Sequence, residues 1–168
     1  MGPEQGKEGK DRTFKAPETG QVSSPEGQDA ERLAKIKEAY SKEYASASAN
    51  IMWENEIRQV QSAISGGKEC PGNWMVIAGK TPEEAARLLA NQVLTRHGTV
   101  AALEMSELPE DKKAEILAEY YDSYAKAVEE HPHVWGMGEN EKVNREMIEE
   151  SKRSASLLRG EESAALES

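Results

Sequence analysis

The chain has 168 residues, 37% of them apolar, and 31 acidic against 21 basic side chains give it a formal charge of −10. That length fits one domain of ordinary size plus a tail, and the apolar share falls below the roughly 45–50% usual for globular chains counted with glycine, so the core is thin. A negative field of this size repels phosphate backbones and sets the chain against nucleic-acid binding through a basic groove.

Residues 1 to about 28 are polar and rich in Gly, Pro, Ser and Gln, with little besides Phe14 and Val22 to bury. Such a composition does not repay the entropy of ordering, and the expectation is a disordered tail or linker. The opening MGPEQGKEGK lacks the apolar run of a secretory signal. Position 6 is Gly6 where N-myristoylation wants Ser or Thr.

Asp29 to about Ser65 contains no Gly or Pro and reads as one long helix or two in succession. Ser24-Pro25-Glu26 and Asp29 both offer chemistry for its N-terminus. Leu33, Ile36, Tyr40, Tyr44, Ala47 and Ile51 step by three and four, the spacing of one helical face. Trp53, Ile57, Val60 and Ile64 repeat the pattern, but the step from Ile51 to Trp53 turns the face by about 200°. Near Asn50 the helix therefore either breaks or is buried on two sides. Unbroken, it would reach about 55 Å, longer than a small domain is wide. The first stripe is expected to stay outside the core, as a surface for a partner or a second copy. The second, which holds Trp53, is expected to face the core.

Gly66-Gly67 closes this segment, and Cys70-Pro71-Gly72-Asn73 is turn chemistry. Trp74-Met75-Val76-Ile77 reads as a short extended connector, with a short helix or a strand paired across a dimer as alternatives. The run Trp74 to Ala78 is the longest uninterrupted apolar one and far too short to cross a bilayer. Gly79-Lys80-Thr81 has the context of a phosphate-binding loop, but Trp74 occupies the position where that loop needs its first glycine. Helix capping is the better reading. Thr81 is the N-cap, Pro82 the first helical residue, and Glu84 the closing acid of a capping box.

That helix buries Ala85, Leu88, Leu89, Val93 and Leu94 and stops at His97-Gly98, after which Thr99 caps a short turn. Another runs from Pro109 to about Glu130, with Glu110 and Asp111 in its first turn and Ile116, Leu117, Tyr120, Tyr121, Tyr124 and Val128 as its stripe. Its outer face is strongly acidic. Trp135-Gly136-Met137-Gly138 is a flexible apolar turn, and a last helix, Asn140 to Leu158, turns Val143, Met147, Ile148, Ser154 and Leu157 inward. Gly160 closes it, leaving an acidic tail over residues 161–168. The fold class is therefore mainly α: a bundle of about four helices over residues 29–160, with a long first helix and one short extended connector.

Chemical motifs are sparse. Cys70 is the single cysteine, which excludes an intrachain disulfide framework, and the neighbouring Glu69 is the wrong charge to activate a thiolate. His131-Pro132-His133 could ligate a metal, but histidines at a helix C-terminus are favoured by the helix dipole alone. No cofactor is implied. The leading expectation is a cytoplasmic, non-enzymatic protein–protein interaction module, an adaptor or accessory subunit. Its partner is another protein, a basic one for the acidic faces, or a second copy of the chain. The candidate binding residues are Leu33, Ile36, Tyr40, Tyr44, Glu110, Asp111, Glu115 and Glu119. One alternative is an acidic regulator that occupies the basic site of a nucleic-acid-binding protein. Another is a small metal-dependent enzyme built on His97, His131 and His133.

Overall fold

A computed structural model describes residues 25–67 and 72–161. The described residues are mainly α-helical and contain no strand. The chain divides into two units between Arg32 and Leu33. Of the first unit, residues 25–32 are described; they are helical, and exposed from Gly27 onward.

Helix α1 spans Pro25–Ser48 and opens one turn earlier than the sequence implies. Proline suits a first turn because its fixed φ is already helical and its missing N–H would have had no partner there. Residues 25–28, expected within the disordered tail, are helical, and the rest of that expected tail, with Ser24, lies outside the described residues.

The chain breaks where the apolar face jumps. Asn50 sits in a turn between Ser48 and Trp53, and its Oδ1 accepts a hydrogen bond from the Met52 amide at 2.8 Å, a short polar side chain standing in for backbone. Helix α2, Trp53–Ile64, then directs Trp53, Val60 and Ala63 inward. Ile57 and Ile64 pack at the margin of the core.

This break corrects the expectation that the first stripe stays outside. Ile36, Tyr40 and Ala47 are buried, while Leu33 and Tyr44 remain exposed at the edge of the same face. Two helices joined by a turn can each rotate a stripe inward, which one straight helix cannot. Ile36 and Tyr40 are thus core residues.

Gly66 takes a left-handed φ of 75° beyond α2, as a helix-ending glycine does. The connector expected to be extended is a 3-10 helix, Gly72–Ile77, that buries Trp74 and Ile77. Side chains three apart eclipse in a 3-10 helix, which sets both on one side. Cys70 and Pro71 lie outside the described residues.

Helix α3, Pro82–Leu88, carries the capping box. The Thr81 hydroxyl accepts from the Glu84 amide at 3.2 Å, and Glu84 Oε1 accepts from the Thr81 amide at 3.1 Å. It continues as a π-turn, Leu89–Val93, and ends at Leu94 with φ 56°. The helix thus stops before Gly98, not at it. Gly98 lies inside α4, Arg96–Glu104, whose N-cap is Thr95. A Cβ at Gly98 would stand 3.0 Å from the Trp74 ring, so glycine is needed there for close approach rather than for a left-handed turn. Thr99, expected as a cap, is buried within α4 and donates its hydroxyl to the Thr95 carbonyl at 2.6 Å.

Helix α5, Glu110–Glu130, is followed by the four-residue α6, Pro132–Trp135, and by α7, Glu141–Leu158, whose N-cap Asn140 accepts from the Val143 amide at 3.2 Å. The α5 and α7 helices pack along each other, α4 lies against α2 and α3, and the π-turn lies against α5. Within α7, Asn144, Ser151, Ala155 and Leu158 point inward and Leu157 is exposed. The inward face was expected to include Leu157; the small Ala155 and the terminal Leu158 occupy it instead. Alanines recur through the core, among them Ala47, Ala63, Ala86, Ala102, Ala114 and Ala118. Small side chains let helices approach closely and explain how so thin an apolar supply is enough.

Candidate interaction surfaces

The polar groups inside the second unit tie α1 to α4 and α5. Glu43 Oε1 accepts from Arg96 Nη1 at 3.1 Å and from the Tyr121 hydroxyl at 2.6 Å. Burial would lower the Arg96 pKa, but Tyr121 and Glu43 outweigh it and hold the guanidinium above its ordinary value. Burial, then the bond to Glu43, pushes the Tyr121 phenol well up. Tyr40 donates to Glu104 Oε2 at 2.6 Å, and the same carboxylate meets Lys113 Nζ at 3.4 Å. Burial followed by Glu104 pushes the Tyr40 phenol far above its usual range as well.

Over this network opens a cleft of about 360 Å³, lined by Glu43, Arg96, Tyr120, Tyr121, Tyr124, Met147, Glu150, Ser151 and Ser154. Tyr120 and Tyr124 stack with ring centres 6.0 Å apart, and Tyr120 meets Tyr121 edge-on at 4.9 Å. Burial pushes the Tyr120 phenol up to about 12. Near neutral pH it is a neutral hydroxyl and a poor proton acceptor. Glu43 and Arg96 satisfy each other, so the chemistry of the cleft is largely spent on holding α1 in place.

Most of the acidic residues expected to face a partner are engaged within the chain. Glu110 meets Lys113 at 3.6 Å and Glu115 meets Lys112 at 3.6 Å. Glu119 receives Arg87 at 2.7 Å and Asn91 at 3.1 Å, stapling α3 to α5. Asp111 sits half-buried in the first turn of α5.

Of the histidines, His131 ends α5 and His133 lies in α6, both exposed. His97 occupies the first turn of α4. Its Nε2 is buried with no hydrogen-bond partner among the described residues, although the residue as a whole is half-buried. Burial, then the charge of Arg96, lowers its pKa, so the imidazole is neutral near pH 7. Among the described residues no three His, Cys, Asp or Glu side chains come together as metal ligands. Cys70 lies outside the described residues.

Besides Met75 in the 3-10 helix and Leu157 on α7, the exposed large apolar side chains among the described residues lie along α1 and at two corners. At the first, between α1 and α2, Ile51 is 97% exposed and Met52 56%. Tyr44 stands close by with its ring edge-on to Trp53 at 5.8 Å. Leu33 lies on the same line of α1, about 20° from Tyr44 at 100° per residue.

At the second corner, around α6, Val134 is 73% exposed and Met137 59%. This turn, expected to be flexible, is pinned from below. The buried Asn144 accepts from the Met137 amide at 2.6 Å and donates to the Gly138 carbonyl at 2.9 Å. Tyr124 donates its hydroxyl to the Trp135 carbonyl at 3.2 Å, and the Gly136 and Gly138 amides both reach the Pro132 carbonyl at 3.0 Å. Sequence reasoning missed this corner because Asn144 reads as one more polar residue on α7.

Comparison with protein families, curated proteins and solved structures finds no match to the chain. No described helix is long and apolar enough to cross a membrane.

Proposed function

We propose that this protein is a non-enzymatic helical interaction module, an adaptor or accessory subunit, whose partner seats on the α1–α2 corner. The observation that supports the reading most is the exposure of Ile51 beside Met52, on a turn held by Asn50. At this corner a chain short of apolar residues leaves Ile51 and Met52 in water beyond the end of α1, on which the exposed Tyr44 and Leu33 lie in line. Contiguous exposed apolar surface on a soluble domain usually marks a protein interface. The surface keeps Leu33, Tyr44 and Ile51 from the expected stripe, loses Ile36 and Tyr40 to the core and gains Met52.

The acidic face of α5 supports the reading less, because Glu110, Glu115 and Glu119 are paired internally. A photo-cross-linking amino acid at position 51, in full-length protein in its native host, tests the proposal. Discrete adducts at position 51, absent with the same probe at the exposed Gln92, are the expected result. Adducts at neither position, or equally at both, would contradict it.

A further inference from the structure

The second corner has its own chemistry. From Glu129 through Glu141 the chain carries Glu129, Glu130, Glu139 and Glu141 and no lysine or arginine, with the exposed Lys126 and Lys142 on either side. All four carboxylates belong to exposed residues, and Val134 and Met137 protrude between them. Beside the turn runs a groove of about 450 Å³ lined by Val128, Pro132 and Ile148 and by the charged side chains of Glu129, Glu141, Glu149, Arg145 and Lys152. Asn144 fixes the turn, so the side chains stand in water without the freedom to retract.

Leaving two apolar side chains exposed on an already ordered turn lowers the entropy cost when a partner covers them. We propose that this corner docks a cationic amphipathic segment, a partner whose apolar side chains cover Val134 and Met137 while its lysines or arginines meet the four glutamates. Charge complementarity decides between occupants. A second copy of the chain would bring the same carboxylates against themselves, and a phosphate surface would be repelled for the same reason. The site is distinct from the α1–α2 corner, so the failure of either leaves the other standing.

The probe is a fluorescein-labelled peptide of lysine and leucine at amphipathic helical spacing. A lysine/serine peptide of equal charge and a glutamate/leucine peptide serve as comparators. Full-length protein should bind the lysine/leucine peptide most tightly, and more weakly as salt is raised. Val134→Ser with Met137→Ser should weaken that binding about tenfold through lost apolar burial, whereas Met75→Ser, at an equally exposed methionine outside both corners, should leave it unchanged. If the double variant folds poorly, backbone amide shifts on adding the peptide to unmodified protein carry the test, with changes expected at residues 129–141. Equal affinity for both cationic peptides, equal loss in the corner variant and in Met75→Ser, shifts centred elsewhere, or self-association blocked by Val134→Ser with Met137→Ser would each overturn the proposal.

Discussion

Replacing Thr81 by alanine deletes the hydroxyl that accepts from the Glu84 amide and opens one half of a reciprocal cap. The expected cost is about 1 kcal/mol, read as a lower denaturant midpoint at unchanged slope. This residue was legible from sequence because a capping box is local chemistry, complete within four residues. His97 was not. What matters about it is the burial of Nε2, and burial is a property of distant neighbours. With the folded pKa depressed below an unfolded value of about 6.5, both states are neutral above that pH and the group contributes nothing. As the pH falls below it, the unfolded chain takes up the proton first, and stability declines until the folded value is passed. His97→Gln should therefore flatten the dependence of stability on pH just below 6.5. An unchanged slope in denaturation across that range would assign the dependence to other groups.

Among the elements, the long helices were readable because their apolar spacing and end signals agree, as at Gly66 and at Asn140, whereas the sequence of α4 reads as a helix end and a short turn. The break at Asn50 could be located as well, since a two-residue step between stripes has few helical solutions. Gly98 shows the limit. Glycine signals both a left-handed turn and a close approach, and only the Trp74 ring above it tells which. The corner between α5 and α7 shows the same limit, because a string of Gly and apolar residues looks flexible until Asn144 is seen beneath it. Asn144→Ala would strand the Met137 amide and the Gly138 carbonyl. The expected cost is about 1–3 kcal/mol for buried groups left unpaired. Amide exchange should accelerate at 136–138 while the middle of α5 stays protected. Uniform acceleration along α5 would instead show that Asn144 supports the whole helix pair.

Across the whole molecule, the low apolar content and the alanine-rich interior belong together. Large apolar side chains are scarce, helices close on alanines, and several of the large ones stand at corners. The candidate surface was only partly legible, because sequence spacing identifies a stripe but not which of its members face inward. Leu33 and Tyr44 remained outside, and Ile36 and Tyr40 did not. The claim that exposed corners serve association rather than folding is tested most directly by Ile51→Ser with Met52→Ser. Thermal stability and the recovery of partners that cross-link at position 51 should be measured on the same preparation. Exposed substitutions away from caps and cores usually change stability by no more than about 0.5 kcal/mol, so the melting temperature should hold while those partners are lost. Partners retained at full yield, or a melting temperature that falls with them, would contradict the account.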